Sequence, residues 1–214
     1  FLPTGQENDF IAAARAVVAA SYPDLAQNPD YSAVVNTRHA SRLRSYLADA
    51  AAKGAQIIPL AEVPGKDGGP QRLAPTLVVQ PDDSMLIMQD EIFGPLLPIM
   101  TYQRIEDALI YINAHERPLA LYLFDHDKIR IEQILDNTVA GGVTINDTIL
   151  HIAQDNLPFG GIGASGMGHY HGHEGFLTFS KLKPVFYQSR INGMGLFNPP
   201  YGALFERLLK VLLR

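Results

Sequence analysis

The 214 residues are enough for one large domain or two small ones, and a 47% hydrophobic share can build a core. A formal net charge of −5, with charged residues at 18%, excludes both a broad basic face for nucleic acid and a disordered, solvated chain. There is no cysteine, so disulfides, a thiolate nucleophile and a thiolate metal site are excluded within these residues.

The chain opens on Phe1 rather than methionine, and it is expected to be one part of something longer. No basic segment leading into an apolar run opens it, so no signal peptide is expected. No apolar run approaches the ~20 residues needed to cross a bilayer, so no transmembrane segment is expected. Together these features lead to the expectation of a cytoplasmic protein.

Thr4-Gly5-Gln6-Glu7 reads as a capping box, in which the Thr4 hydroxyl and the Glu7 carboxylate satisfy free backbone N–H groups. The helix that follows carries Phe10, Ile11, Ala14, Val17 and Val18 on one face and ends at Ser21-Tyr22-Pro23. A second helix is predicted from about Thr37 to Lys53, with Leu43, Leu47 and Ala51 inward and Gly54 as its stop. Gln56-Ile57-Ile58 is a short strand, and Pro64 to Pro70 is a turn or exposed loop. Thr76–Val79 and Leu96–Tyr102 are strands, and a helix runs through Ile105, Ala108, Leu109 and Ile112. Leu119 to Phe124 is a continuous apolar run, as for a strand buried on both faces. A helix from about Asp127 to Asp136 and a strand over Gly141–Asn146 complete the series.

Alternating strands and helices predict an α/β fold with a parallel sheet between helices. The rhythm stops at Asp147. Ten of the 18 glycines lie between Gly160 and Gly202, which predicts mostly loop with short strands. The chain closes on an amphipathic helix with Leu204, Leu208, Val211 and Leu212 on one face.

Three segments carry candidate chemistry. Gly161-Ile162-Gly163-Ala164-Ser165-Gly166 has the letters of a dinucleotide-phosphate loop, but no strand precedes it and no helix follows it, so a structural glycine loop is favoured. His169, His171 and His173 would face one side if extended and could then hold zinc or nickel. Gly168, Gly172 and Gly175 argue for a loop instead, and no metal site is expected. Gln89-Asp90-Glu91-Ile92-Phe93-Gly94-Pro95 sets an acidic pair beside a turn just ahead of a buried strand. A carboxylate there could accept both hydroxyls of a ribose diol; the plainer reading, a helix end or turn with solvated acids, is the one composition favours.

Glu91-Ile92-Phe93-Gly94-Pro95 resembles the E-x-F-G-P signature of aldehyde dehydrogenases, and Leu157 to Gly168 resembles that family's P-F-G-G-x-x-x-S-G motif. Tyr170-His171-Gly172, Phe176 to Ser180, and Asn146-Asp147 with His151 resemble the class 3 branch, with the bacterial coniferyl-aldehyde enzymes most similar. The resemblance covers essentially the whole chain. It implies an enzyme that oxidises an aldehyde, coniferyl or another aromatic or long-chain one, to its acid with NAD or NADP. In the family a cysteine thiolate attacks the carbonyl, a glutamate activates water, and N–H groups hold the oxyanion.

By the same resemblance the nucleophile lies just ahead of Phe1, with the general base and the nucleotide domain further upstream. No residue here is then catalytic, the isolated chain is expected to be inactive, and no cofactor is expected bound to it alone. Glu91 is similar to the residue that hydrogen-bonds the nicotinamide ribose, and Phe93 to one that packs near the nicotinamide ring. Phe159, Asn146 and His151 are similar to residues along the aldehyde tunnel. Residues 1–146 are then a partial parallel-sheet catalytic domain, and 147–214 a bridging and oligomerisation region forming a homodimer or higher homo-oligomer. Leu196 to Arg214 resembles the class 3 tail, whose helix can cover the substrate entrance. The alternative is a non-catalytic α/β interaction or assembly domain that keeps the fold.

Overall fold

A computed structural model describes residues 1–62, 69 and 71–213. The expected turn over Pro64–Pro70 lies outside them, Gly69 apart. The elements in chain order are β1 (Leu2–Pro3), α1 (Glu7–Ser21), α2 (Thr37–Ala52), β2 (Gln56–Pro59), β3 (Thr76–Val79), α3 (Leu86–Gln89), β4 (Leu96–Ile99) and β5 (Thr101–Tyr102). After them come α4 (Ile105–Ala114), β6 (Ala120–Leu123), α5 (Lys128–Asp136), β7 (Gly142–Ile145), α6 (Gly172–Thr178) and α7 (Ala203–Leu212).

Among the described residues the strands fall into three small sheets: β1 with β5, β2-β3-β4, and β6 with β7. Pairing is parallel except between β2 and β3, so the predicted parallel arrangement holds with one antiparallel edge strand. The predicted strand Leu96–Tyr102 divides at Met100, because it changes neighbours there. The Ile99 carbonyl accepts from Gln80 N–H beside β3, whereas the Met100 carbonyl accepts from Leu2 N–H beside β1.

Every residue of β3 is buried. Successive side chains of a strand point to opposite faces, so this one strand feeds two cores. Leu77 and Val79 join Ile58 and Ile99 on one face, against Phe10, Ile11 and Ala14 of α1. Val78 joins Leu43, Tyr46, Ala50, Met85, Ile87 and Leu96 on the other, against α2 and α3. Ala50 rather than the predicted Ala51 turns inward on α2, and Val17 of α1 is exposed. Gly54, at φ +96°, ends α2 as predicted, and Asn36 caps its start by accepting from His39 N–H at 2.9 Å.

The predicted capping box at the start of α1 forms only in part. Glu7 accepts from Gly5 N–H at 2.7 Å, but the Thr4 hydroxyl donates to the Tyr102 carbonyl at 3.0 Å. The β1–β5 pairing brings that carbonyl within reach, and it wins over the helix end.

β6 departs from its expected burial. Its residues are half-buried or exposed, with Tyr122 at 41%, because the described residues pair only one of its edges, to β7. Asp127 caps the intervening α5 by accepting from Ile129 N–H at 3.0 Å.

Beyond β7 no further strand occurs among the described residues. The only β contact there is a bridge of two 2.9 Å hydrogen bonds between Phe159 and Tyr170. The histidine-bearing segment becomes helical at Gly172, where a loop was expected. On α7, Phe205 and Leu208 are the more covered residues, while Leu204, Val211 and Leu212 are exposed. Phe205 packs on Tyr201 and Phe197, with ring centroids 4.5 and 6.2 Å away. No helix among the described residues is long and apolar enough to cross a membrane.

Candidate functional site

Glu91 and Phe93 lie on the connection from α3 to β4. α2 holds this connection from below. Gly94 passes so close to Leu43 that a Cβ there would sit 2.4 Å from a Leu43 methyl. Arg42 reaches up beside Leu43, and its guanidinium donates to the Glu91 carbonyl at 2.8 Å and the Ile92 carbonyl at 2.7 Å. It also donates to the Tyr46 hydroxyl at 2.8 Å, which in turn donates to the Asp90 carboxylate at 2.7 Å.

With its backbone held, the loop presents its side chains outward. Phe93 adopts φ +44° and leaves its ring 77% exposed. Glu91 is exposed, and among the described residues no hydrogen bond or ion pair reaches its carboxylate. An exposed carboxylate can accept from a vicinal diol, and an exposed aromatic face can take a flat heterocycle.

The other expected residues are spread along β7, with Asn146 just past its end and the His151 ring against its start at Gly142. Asn146, at φ +58°, uses both ends of its amide on the Asp125 backbone: it accepts from the N–H at 2.9 Å and donates to the carbonyl at 2.8 Å. It therefore ties the turn after β7 to the turn after β6. Asp125 is in turn ion-paired to Arg130, and this guanidinium, followed by the Asp127 N–H, holds the Asp125 carboxyl well below the usual carboxylate range.

His151 is buried, at 7% exposure, and shares a 2.8 Å hydrogen bond with Thr144 through Nδ1. Its ring lies against Gly142, where a Cβ would come within 2.5 Å of it. Its Nε2 is buried and has no partner among the described residues. Phe159 stands next to it, with centroids 6.1 Å apart, and also stacks with His171 at 5.9 Å and 24°. Tyr170 meets both Phe159 and His171 edge-on.

The structure thus brings His151 and Phe159 together and sets Asn146 on the turn just after β7, the strand whose Gly142 and Thr144 His151 packs against. No hydrogen bond or ring contact among the described residues joins Glu91 or Phe93 to them.

The glycine loop packs backbone on backbone. A Cβ on Gly160 would lie 2.1 Å from the Gly168 carbonyl, and one on Gly161 2.1 Å from that of Ser165. That accounts for the paired glycines without a phosphate. Of the histidines, His169 pairs with Glu174 at 2.9 Å and His171 stacks in the aromatic cluster, so the period-two alignment does not arise. Among the described residues no group of three or more potential metal ligands gathers. A cavity of about 780 Å³ opens between β1–β5 and β6, lined by Phe10, Tyr102, Leu109, Leu121 and Phe124 among others, and contains none of the expected site residues.

Sequence reasoning missed Arg42, Tyr46 and Thr144, and it weighed His171 as a metal ligand and as part of a family motif but not as a stacking partner of Phe159. The available signal for the first two was their spacing on one face of α2. For His171 there was none beyond its place between Tyr170 and Gly172, because its backbone at φ +86° and its stacking on Phe159 are tertiary features.

Comparison with known proteins gives the geometry its context. The aldehyde dehydrogenase family model matches residues 7–185. A probable coniferyl aldehyde dehydrogenase of Pseudomonas aeruginosa is 50% identical over 208 residues, covering 97% of this chain and 43% of that protein. Rat aldehyde dehydrogenase family 3 member A2 is 44% identical over 157 residues, 73% of this chain and 31% of that protein. Among solved structures, substrate-bound AldH of Staphylococcus aureus superposes with a TM-score of 0.76 at 36% identity, over 99% of this chain and 45% of that one. An aldehyde dehydrogenase of Mycobacterium tuberculosis complexed with NAD+ superposes with a TM-score of 0.71 at 27% identity, over 88% and 40%. The chain spans less than half the length of these relatives. With most of its residues matched by the family model, and 50% identity to a relative over 97% of its own length, the chain belongs to the aldehyde dehydrogenase family.

Proposed function

We propose that this chain is the part of an NAD(P)-dependent aldehyde dehydrogenase that positions the nicotinamide ribose and lines the aldehyde tunnel, and that alone it oxidises nothing. The observation that carries the reading is that Glu91 and Phe93, two residues apart, both stand exposed on a loop whose backbone Arg42 holds. NAD or NADP supplies the hydride acceptor when bound. Glu91 accepts the two ribose hydroxyls, each bond strengthened by the carboxylate's charge. Phe93 offers its face to the nicotinamide ring.

Phe159 and His151 form the tunnel wall, and Asn146 fixes the turn beside it through Asp125. The substrate is a coniferyl-like or other aromatic aldehyde, or a long-chain one. The likeness to coniferyl aldehyde dehydrogenases and the aromatic character of the cluster around Phe159 support the aromatic choice. Residues 1–146 act as part of the catalytic domain, and 147–214 as the bridging and oligomerisation region of a cytoplasmic homodimer or higher homo-oligomer. The end of all sheet structure at Ile145 among the described residues supports that boundary.

Covalent catalysis on an aldehyde needs a nucleophile, and the chain has no cysteine to supply the thiolate. The test is NADH formation from coniferyl aldehyde and from a long-chain aldehyde, with the 214-residue chain and with the longer enzyme. Turnover by the longer enzyme alone is expected. Turnover by the isolated chain at ordinary enzyme rates, ~1 s⁻¹ or more, would overturn the reading.

A further inference from the structure

One stripe of α2 binds the segment that carries Glu91 and Phe93, residue after residue. Arg42, Tyr46, Asp49 and Lys53 are spaced by four, three and four, which places them on one helical face. Their partners run the opposite way along the chain. Arg42 donates to the carbonyls of Ile92 and Glu91, and Tyr46 donates to Asp90. Asp49 accepts from Leu86 N–H at 2.8 Å, and Lys53 donates to the Ser84 carbonyl. The Lys53 ammonium, followed by the Leu86 N–H, keeps the Asp49 carboxyl below its usual range.

The two ends of this stripe differ in what they hold. Asp49 and Lys53 fix α3 and the turn before it. Arg42 and Tyr46 fix the exposed loop. A guanidinium is a planar fork, and here it spans two consecutive carbonyls and a hydroxyl at once, which an ammonium on a flexible stem cannot do. The same side chain lies over the Tyr46 ring, its central carbon 5.0 Å from the centroid. Arginine, tyrosine and Asp90 thus form one charge-assisted chain, with the loop backbone at its upper end. Phe93 stands at φ +44°, a conformation uncommon for a bulky residue, so the surroundings must hold it there. Arg42 bonds to the two residues just before it, and Leu43 packs under the glycine just after it.

We propose that Arg42 and Tyr46 are positioning residues for the nicotinamide-ribose contact, acting through Glu91 and Phe93 without touching the cofactor. This rests on the reading of Glu91 and Phe93 as cofactor-binding residues. Binding a cofactor to a loop already in its bound shape avoids the cost of ordering that loop. Loss of the clamp therefore shows as weaker cofactor binding, with aldehyde binding unaffected.

The test uses the longer enzyme with Arg42→Lys, Tyr46→Phe, Glu91→Gln and Phe93→Ala, and the combination of Arg42→Lys with the last two. Cofactor affinity is read by NADH fluorescence titration, and loop order by hydrogen exchange at the 92–94 amides in the cofactor-free enzyme. KM is measured separately for cofactor and aldehyde. Arg42→Lys should speed exchange in the loop and raise the NADH Kd about tenfold, the equivalent of ~1.4 kcal/mol. Tyr46→Phe, which keeps the ring in the core, should give a smaller change in the same direction. It decides the matter if Arg42→Lys fails to fold. Aldehyde KM should stay put. In the combined variant Arg42→Lys should add nothing further, because its effect passes through the two residues already replaced. If Glu91→Gln and Phe93→Ala weaken NADH binding while Arg42→Lys and Tyr46→Phe do not, the positioning role is refuted and the cofactor reading stands. If Glu91→Gln and Phe93→Ala leave NADH binding unchanged, both fall. Additive losses in the combined variant, or equal rises in both KM values, also overturn the proposal.

Discussion

Replacing Gly94 by alanine tests the packing that underlies the loop. The added Cβ would sit 2.4 and 2.9 Å from the two Leu43 methyls and 3.2 Å from its Cγ, whereas ordinary contact begins near 3.4 Å. Leu43 is fully buried between Tyr46, Val78 and Leu96, so it has little room to turn away. The loop cannot rise freely either, because Arg42 holds the two carbonyls just before it. Overpacking of this kind costs ~1–3 kcal/mol. The smaller conformational freedom of an unfolded alanine returns ~0.4–1 kcal/mol. The net expectation is a loss of about 1–2 kcal/mol, or roughly 2–8 °C in melting temperature for a chain of this size. Urea titration followed by circular dichroism measures it. Leu43→Ala alone opens a cavity and costs ~2–5 kcal/mol. In the double variant the new methyl occupies space that Leu43 vacated, so the total should fall short of the sum by about 1 kcal/mol or more. Strict additivity, or a Gly94→Ala variant as stable as the parent, would show that the close approach does not govern stability.

Glu91→Gln in the longer enzyme should slow NADH formation about ten- to a hundredfold, the range for a lost hydrogen bond to a charged group of ~1.5–3 kcal/mol. Hydrolysis of an aryl ester by the same enzyme should be largely retained; equal losses would make Glu91 a proton-transfer group instead. Asp125→Asn should remove a pH-dependent contribution to stability. The folded-state pKa of Asp125 is depressed, so that contribution is present above the ordinary carboxylate pKa of about 4 and is lost as pH falls below it. Melting temperatures of parent and variant should then differ most near neutral pH and converge in acid; a constant gap would point to packing. The isolated chain should self-associate, because it exposes 15139 Å² where a compact monomer of its mass exposes about 9,800 Å². Light scattering should show a mass above 23.5 kDa that grows with concentration, and a strict monomer at high concentration would contradict this.

Much of this molecule was legible in its sequence, for local reasons. Helix starts and stops follow from side chains that satisfy or break nearby backbone bonds, as Asp127 does for α5 and Gly54 for α2. Apolar spacing located β3, α4 and β7 because helix and strand periods are set by backbone geometry alone. The motifs around Glu91 and Phe159 pointed to the family because short, glycine-marked turns carry their constraint in a few adjacent letters. The paired glycines at 160 and 161 indeed sit where any Cβ would meet a carbonyl.

What only the tertiary structure decided concerns partners far apart in the chain. β1 pairs with β5 across about a hundred residues, and that pairing diverts the Thr4 hydroxyl from the helix end to the Tyr102 carbonyl. Ala50 of α2 is buried in the cluster that holds Ile87 of α3, a helix too short to announce itself in the sequence. The apolar run of β6 gave its strand character but not its burial, since burial depends on what lies against it. No motif marks Arg42 or Tyr46 in the sequence. Their role as the support of the Glu91 loop exists only because that loop, some fifty residues later, passes within hydrogen-bond reach of their face.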